Sequence, residues 1–304
     1  MELQHTVRKA VECRGVGTHT GAAVALTLRP APPDHGVVFH VLPAGAEIPV
    51  QPESLVNGHY ATTLGVDGVQ VQTVEHLLAA TRALGVDNLV IEIEGPELPA
   101  MDGSAAPFVS LLYAAGREGQ PAARRPLRVS EVIRVGDDAR WIQISPAPEL
   151  RISYTLDLDH PVVGVQVVSL APTEERFVEE VASARTYGFL KDLDLLRQQG
   201  LARGSSLANA VVLGEKRVLN GALRFHDEFV RHKILDLIGD LALLGRPVIG
   251  HVLARNGGHA LNHRLVREIA HRARRFPGGV ERAVVRPVAR SEGGARQPSG
   301  VTGK

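Results

Sequence analysis

The stretch DLIGDLALLG, residues 236–245, reads as an apolar helix that ends at Gly245, and it has a counterpart earlier in the chain. Residues 76–85, HLLAATRALG, show the same pattern and also end at a glycine, the residue that commonly follows a helix in the left-handed conformation. A short apolar run follows each segment, and then a glycine-containing loop that opens another helix. This repetition predicts that the chain contains one structural unit twice.

The repetition extends upstream of the two helices. Residues 24–41 (VALTLRPAPPDHGVVFHV) and 141–156 (WIQISPAPELRISYTL) each read as strand, turn and strand, with PAP as the turn signal in both. The offset between the copies grows from 116 at the turn (30 to 146) to 160 at the helix (76 to 236). The second copy therefore carries an insertion, which we place within about 160–210.

These patterns predict an α+β protein of two similar domains, each a sheet with helices packed on one face. We place the first domain at 1–117, a linker at 118–126 and the second domain at 127–285, since the linker composition is rich in turn-forming and charged residues. Residues 286–304 combine Gly, Ser and charge without periodicity, which predicts a disordered tail. If the two domains pack about a pseudo-twofold axis, their apolar helices meet at the interface.

The composition of the 304-residue chain is typical of a globular protein, with 44% hydrophobic and 22% charged residues. A formal net charge of +1 gives no overall field toward nucleic acid or an anionic membrane. Cys13 is the only cysteine, which excludes an intrachain disulfide and a cysteine metal cluster. The N-terminus lacks the apolar core of a signal peptide, and no window approaches 18 uninterrupted apolar residues. We therefore expect a cytoplasmic protein without stable membrane insertion.

A row of polar residues runs along the second apolar helix. His232, Asp236 and Asp240 follow one another at i, i+4 and i+8, and Glu228 lies one turn earlier, so the four form a single stripe. A His and an Asp one turn apart can bind one metal ion, and imidazole and carboxylate suit Zn²⁺. On spacing alone, a His–Asp hydrogen bond on a partly exposed helix face is the favoured alternative.

The matching helix of the first unit carries an adjacent acid–histidine pair, Glu75 and His76, with Thr73 as the predicted N-cap. Adjacent residues on a helix point about 100° apart, so both side chains cannot bind one metal ion from one face. They can divide the chemistry instead, with His76 on the metal and Glu75 facing the bound water. The chain contains no HExxH motif, in which other zinc hydrolases make this division.

Several long motifs, taken together and in order, resemble one known family, the UDP-3-O-acyl-N-acetylglucosamine deacetylases. The motifs are RGVGTHTG (14–21), TVEHLLAATRALGVDNLVIEIEGPELPAMDGSAAPFV (73–109), SARTYGF (183–189), LRFHDEFVRHKILDLIGDLALLG (223–245) and GGHALNHRLV (257–266). The resemblance covers roughly residues 3–280. It implies a zinc amidase of bacterial lipid A synthesis, with two α+β domains and the active site at their interface.

The resemblance also implies the ligands of the metal. His76, His232 and Asp236 would bind one Zn²⁺ per chain, with Fe²⁺ as an alternative ion.

Four further residues receive catalytic roles from the resemblance. Glu75 would be the general base and His259 the second catalytic group. Asp240 would lie behind His259 and orient it. A carboxylate beside an imidazole also raises the imidazole pKa and so favours its charged form. Thr186 of SARTYGF would donate a hydrogen bond to the substrate carbonyl oxygen as negative charge develops there.

The substrate-binding residues implied by the resemblance fall into a polar and an apolar group. Lys233 would meet the sugar nucleotide, Tyr187 would stack on a sugar, and His19 would lie near the site. The family usually has Phe where this chain has Tyr187. The walls of an apolar passage for the 3-O-acyl chain would come from the predicted insertion, with candidates Leu193, Ala202, Ser206, Leu207 and Val212.

The expected reaction is hydrolysis of the N-acetyl group of a UDP-3-O-acyl-N-acetylglucosamine, which gives the free amine and acetate. The expected partner is this small-molecule substrate, with no nucleic acid, and the expected state is a monomer. A first alternative is a zinc amidase acting on another acylated sugar. A second is a non-catalytic module that binds nucleic acid or nucleotides, which the ten Arg or Lys against three Glu from residue 264 onward would favour.

Overall fold

A computed structural model describes residues 2–275 of the chain. The predicted disordered tail at 286–304 and the predicted end of the second domain at residue 285 lie outside the described residues. None of the helices within 2–275 is both long and apolar enough to cross a membrane.

The strands and helices of the described chain fall into two successive series. The first series is β1 (Leu3–Val7), β2 (Val11–Val16), β3 (Ala23–Pro30), β4 (Val37–Leu42), β5 (Ala46–Pro49), β6 (Leu55–Asn57), β7 (Thr63–Val66), β8 (Val69–Val71), α1 (Glu75–Ala83), β9 (Leu89–Glu94), α2 (Ala106–Ala115) and β10 (Arg117–Ala123). The second series is β11 (Leu127–Arg128), β12 (Ile133–Gly136), β13 (Trp141–Ser145), β14 (Leu150–Leu158), β15 (Gly164–Leu170), α3 (Glu174–Glu180), β16 (Tyr187–Phe189), α4 (Leu193–Gln198), β17 (Val211–Leu213), α5 (Glu228–Leu241), β18 (Val248–Arg255) and α6 (His259–Arg275).

The two main sheets have the same topology. The strand order is β2-β3-β9-β4-β5 in the first sheet and β12-β13-β18-β14-β15 in the second. In each sheet the central strand, β9 or β18, runs antiparallel to one neighbour (β3 or β13) and parallel to the other (β4 or β14). The predicted α+β fold of two similar sheet-plus-helices units is therefore confirmed.

Local sequence explains the strands and the helix ends. Strand β18 alternates buried and half-buried residues along its whole length, the pattern of a strand with one face on a core. Gly85 and Gly245 both have a φ of 66°, so each follows its helix in the left-handed conformation as predicted.

Helices α1 and α5 pack directly against each other between the two sheets. Leu77 of α1 and Leu235 of α5 are fully buried. Gly239 allows the helices to approach closely, because a Cβ at this position would lie 2.8 Å from the carbonyl carbon and 3.0 Å from the Cα of Glu75. The two repeated helices therefore meet, and they meet at the polar residues that the sequence singled out.

The insertion that the sequence predicts at about 160–210 overlaps strand β15 (Gly164–Leu170) of the main sheet. Strand β15 belongs to the main sheet up to Leu170, and the added segment runs from 171 to 227, with α3, β16, α4 and β17. The first unit has its own added segment at 50–74, a three-stranded sheet of β6, β7 and β8 that the sequence did not predict. Both segments lie between the edge strand of their sheet (β5 or β15) and the helix that follows the segment (α1 or α5), so the offset between the copies does not reveal the shorter segment.

The stretch predicted as a linker, 118–126, consists largely of strand β10, which pairs antiparallel with β1. The division of the chain into domains at this stretch stays a prediction.

Candidate metal centre and catalytic cleft

The polar stripe of α5 is buried. Glu228 and Asp240 are fully inaccessible, and His232 and Asp236 are only 3% and 2% exposed. This burial excludes the alternative of a His–Asp hydrogen bond on a partly exposed helix face. Ionised groups are rarely buried without an opposite charge or a metal ion, so each member of the stripe requires a partner.

Three donor groups converge where α1 meets α5. The Nε2 atoms of His76 and His232 lie 3.7 and 3.3 Å from Oδ1 of Asp236. The two imidazoles stand edge to face, with ring centroids 5.0 Å apart, and one donor atom from each of the three residues lies within 4.8 Å of the others. Helix α1 supplies His76, and α5 supplies the other two from successive turns.

The surroundings of these groups fit a bound cation. Oδ1 of Asp236 is buried and has no hydrogen-bond partner among the described residues, whereas Oδ2 accepts a 2.7 Å hydrogen bond from Lys233 Nζ. His232 Nδ1 donates to the carbonyl oxygen of Ala184 at 3.1 Å, which leaves the lone pair of Nε2 toward Asp236. Burial lowers the pKa of His232 to about 3, against the opposing effect of Asp236, so the imidazole is neutral as metal ligation requires.

Glu75 lies next to this group at the first position of α1. Its Oε2 accepts a hydrogen bond from the backbone N–H of Thr62 at 3.0 Å, and its Oε1 lies 3.7 Å from His259 Nε2. Burial raises the pKa of Glu75 above its ordinary value. Thr73, the predicted N-cap of α1, does not cap the helix; its hydroxyl donates to Glu97 instead, and its φ of 58° lies in the left-handed region.

His259 opens α6 on the opposite side of the cleft. Its Nδ1 donates to Oδ2 of Asp240 at 2.8 Å, and its Nε2 lies 3.8 Å from Oδ2 of Asp236. Burial disfavours the imidazolium, but the carboxylates of Asp240, Asp236 and Glu75 outweigh it and raise the pKa of His259 to about 10. A divalent cation held by Asp236 would oppose this protonation. Asp240 therefore lies on the Nδ1 side of the imidazole.

A cavity of about 550 Å³ opens in front of these groups. The residues that line it include the polar His19 and Lys233 and the apolar Leu193, Ala202 and Val212. Thr186 and Tyr187 also line it, beside the imidazoles.

The structure corrects two of the predicted passage residues, Ser206 and Leu207. Both are exposed, Leu207 by 57%, and neither lines the cavity. Residues 206–209 form a turn closed by Asn209, whose N–H donates to the Ser206 carbonyl and whose Oδ1 accepts from the Ser206 N–H. This turn directs the Leu207 side chain outward, although its apolar character suggested a wall.

Glu228, the fourth member of the stripe, holds the segment that carries Thr186. Its carboxylate accepts hydrogen bonds from the backbone and guanidinium of Arg185 at 3.0 and 2.8 Å, and from the N–H of Arg224 at 2.7 Å. The Thr186 N–H donates to the Gly103 carbonyl at 2.8 Å. Thr186 is thus fixed from both units of the fold.

Sequence reasoning missed the residues that support the site from behind. Glu97 is fully buried and accepts hydrogen bonds from the N–H groups of His19 and Thr20, which fixes the loop that brings His19 to the cavity. Thr62 and His263 both contact Asp240. Glu97 and Thr62 lie outside the helices and give no signal in the helical spacing, whereas His263 lies one turn after His259 on α6 and could have been found by that spacing.

Two histidines and one carboxylate lie around a buried oxygen that has no hydrogen-bond partner among the described residues, with a separate acid alongside. These groups could bind a metal ion, and the arrangement is typical of a metal-dependent hydrolase. Comparison with known proteins supports this class and narrows it. The model of the family described as LpxC, UDP-3-O-acyl N-acetylglycosamine deacetylase, matches residues 4–271. The chain belongs to this family, and the resemblance inferred from the sequence motifs is confirmed.

Individual relatives agree with the family match. The chain is 51% identical over 269 residues to the UDP-3-O-acyl-N-acetylglucosamine deacetylase of Myxococcus xanthus, which covers 88% of this chain and 86% of that protein. It is 48% identical over 270 residues to the protein of the same name from Oleidesulfovibrio alaskensis, with 88% of each covered. It is 43% identical over 302 residues to that from Anaeromyxobacter dehalogenans, with 96% and 98% covered.

Proposed function

We propose that the protein is a zinc-dependent deacetylase that hydrolyses the N-acetyl group of a UDP-3-O-acyl-N-acetylglucosamine in lipid A synthesis. The products are the free amine and acetate. The observation that carries the proposal is the convergence of His76, His232 and Asp236 beside Glu75, with Asp236 Oδ1 buried and without a hydrogen-bond partner among the described residues. Membership in the deacetylase family and the names of the relatives support the substrate.

His76, His232 and Asp236 would hold one Zn²⁺, and Fe²⁺ is an alternative ion for the same donors. Bound zinc supplies a water with a pKa of about 7 and polarises the acetyl carbonyl. The three ligands carry one negative charge in total, because both imidazoles are neutral as ligands, and this leaves net positive charge at the site. Lys233 adds a further positive charge through its 2.7 Å contact with Asp236.

Glu75 accepts the proton of the attacking water. The Thr62 N–H engages Oε2, which leaves Oε1 as the oxygen available for this proton. Burial raises the pKa of Glu75, and a carboxyl with a raised pKa is a more effective base near neutral pH than an ordinary one.

His259 and Thr186 act on the opposite side of the reacting carbon. Thr186 donates a hydrogen bond from its hydroxyl to the oxygen on which negative charge develops, a contribution of about 3 kcal/mol in comparable oxyanion sites. Asp240 holds the Nδ1–H of His259, so Nε2 faces the cleft and, when protonated, provides a positive charge and a proton for the leaving amine. Glu75, once protonated, is the second group that can supply this proton.

The cavity accommodates the rest of the substrate. Lys233 and His19 line the cavity and are the residues proposed for the sugar nucleotide, with the Tyr187 ring stacked on a sugar. Leu193, Ala202 and Val212 would line the passage for the acyl chain, to which each buried methylene contributes about 0.8 kcal/mol. The cytoplasmic location, the monomeric state and the lack of nucleic-acid binding stay predictions.

Metal analysis combined with an acetate-release assay tests the proposed function. We expect Glu75→Gln to retain stoichiometric zinc and lose at least about 100-fold in kcat, because general base catalysis contributes 10² to 10⁴. His232→Ala should lose the metal, because only two ligands remain. Glu92→Gln is a matched control, since Glu92 pairs with Arg29 on the first sheet and does not line the cavity.

The outcomes separate the alternatives. Full activity in a Glu75→Gln variant that retains its zinc would contradict the role of Glu75 as the base. Stoichiometric zinc in His232→Ala would contradict the ligand assignment. Acetate release from other acylated sugars but not from the UDP-linked one would favour the first alternative, and salt-sensitive RNA binding by a metal-free protein would favour the second.

A further inference from the structure

A buried hydrogen-bond network joins the two groups to which the proposed function assigns proton transfer. Asp240 is its centre and is completely inaccessible to solvent. Its Oδ2 accepts from His259 Nδ1 at 2.8 Å and from Asn262 Nδ2 at 2.7 Å. Its Oδ1 accepts from the Thr62 hydroxyl at 2.5 Å and lies 3.3 Å from His263 Nε2. The carboxylate therefore has two hydrogen-bond partners on each oxygen.

Thr62 is the residue through which this network reaches Glu75. Its N–H donates to Glu75 Oε2 at 3.0 Å, and its carbonyl oxygen accepts from the N–H of Val74, the residue before Glu75, at 3.3 Å. The hydroxyl of the same residue donates to Asp240. One threonine thus contacts the proposed base through its backbone and the partner of the proposed acid through its side chain.

The directions of these hydrogen bonds follow from the donors available. The hydroxyl of Thr62 has one proton, and the short contact to the Asp240 carboxylate uses it. His263 Nε2, 2.9 Å from the same hydroxyl oxygen, must therefore carry a proton and donate it. A Cβ at Gly58 would overlap the His263 imidazole, so this glycine leaves the space in which His263 sits against Thr62.

We propose that Thr62 is a positioning residue that fixes the geometry of Glu75 relative to the His259–Asp240 pair. This inference rests on the proposed function, because it assigns Thr62 no contact with the substrate or the metal. Thr62 is fully buried and does not line the cavity. Without its hydroxyl, Asp240 Oδ1 keeps only the 3.3 Å contact to His263, and the orientation of the carboxylate toward His259 is fixed mainly by the two hydrogen bonds to Oδ2.

Three variants test the proposal. Thr62→Val keeps the shape and the backbone contacts and removes the hydroxyl, and Thr62→Ser keeps the hydroxyl. Thr63→Val is the matched control, because Thr63 is buried next to Thr62 and its hydroxyl makes no hydrogen bond among the described residues. We expect Thr62→Val to reduce kcat by about 10- to 100-fold with KM within about twofold, since misplacing a catalytic group by about 1 Å can cost 100-fold.

The other variants should separate positioning from folding. Thr62→Ser should recover kcat to within about threefold of the wild type, and Thr63→Val should match the wild type. All three variants should retain stoichiometric metal, because no ligand touches the Thr62 side chain. If Thr62→Val does not fold, Thr62→Ala removes the same hydroxyl without adding a methyl group to the network and serves the same comparison.

Several results would overturn the inference. A wild-type kcat in Thr62→Val, a loss in Thr62→Ser as large as in Thr62→Val, or an effect confined to KM would each show that the hydroxyl does not position the catalytic groups. An active wild type with an unimpaired Thr62→Val variant overturns this inference alone. A metal-loaded wild type that releases no acetate overturns the proposed function, and this inference with it.

Discussion

The contact between α1 and α5 at Gly239 predicts that one added methyl group will weaken zinc binding and lower kcat. The proposed ligands are divided between the helices, with His76 on α1 and His232 and Asp236 on α5. Gly239 lies against the backbone of Glu75, where a Cβ would lie 2.8 Å from the carbonyl carbon and nearer still to the carbonyl oxygen. Backbone atoms cannot rotate away as a side chain can, so Gly239→Ala must move one helix relative to the other.

The size of this movement decides the outcome. Ordinary contacts of a Cβ begin at 3.4 Å, so relief of the 2.8 Å contact alone requires a separation of at least about half an ångström. Metal–ligand distances tolerate only about 0.2 Å. Overpacking a core costs about 1–3 kcal/mol, and the higher helix propensity of Ala offsets about 1 kcal/mol of that. We therefore expect a net destabilisation of about 0–2 kcal/mol, together with a disproportionate loss of zinc affinity and of kcat.

Denaturant unfolding of the metal-free protein, zinc titration and acetate release measure the three effects separately. Gly119→Ala is the control, because a Cβ at Gly119 would lie 4.0 Å from the nearest atoms, in the His5 ring. We expect the zinc affinity of Gly239→Ala to fall at least about tenfold, with kcat about 100-fold lower. A variant that binds zinc and turns over like the wild type would refute the argument that the spacing of these two helices sets the metal geometry.

Two further predictions concern protonation and the apolar passage. In metal-free protein, we expect the free energy of unfolding to decrease as the pH falls from 6.5 toward about 3, because the unfolded chain protonates His232 more readily than the folded one. We expect it to decrease also as the pH rises from 6.5 toward about 10, because folded His259 then loses its proton. Melting curves across this range check both limbs, and an alkaline limb unchanged in His259→Gln would contradict the second. Val212→Trp should raise KM for a long-chain substrate by about 50-fold if the indole displaces about three methylenes, and leave a short-chain substrate within about twofold. Equal effects on both substrates would show that Val212 does not line the acyl passage.

Local signals in the sequence were sufficient to predict the repeated fold. The turn signal at 30–32 recurs at 146–148, and Gly85 and Gly245 end equivalent helices in the left-handed conformation. Such features depend on neighbours in the chain, so they can be read without tertiary information. The segments at 50–74 and 171–227 were harder to place, because both are added at the same point of the unit.

The candidate site was predictable only as far as helical spacing extends. His232, Asp236 and Asp240 share a helix, so their common face follows from periodicity. Thr62 is 178 residues from Asp240 in the chain and 201 from His263, and only the packing of the first unit's small sheet brings them together. Leu207 shows the opposite error, since its apolar side chain suggested a wall and a local turn places it in solvent.

The duplicated unit gives one candidate site instead of two because equivalent positions in the copies have different uses. In each unit, the loop after the central strand opens the last helix. In the second unit this loop places His259 in the cleft. In the first unit Asp102 binds Arg224 at 2.8 Å, and the same guanidinium donates to the Ser183 carbonyl at 2.9 Å.

In the same loop of the first unit, the Gly103 carbonyl accepts a hydrogen bond from the Thr186 N–H at 2.8 Å. It therefore holds in place a residue that the second unit supplies, whereas its counterpart supplies His259 directly. The same division separates α1 from α5, because Leu235 occupies in α5 the place that Glu75 has in α1. The repeat thus doubles the scaffold, while the proposed chemistry depends on the positions at which the two copies differ.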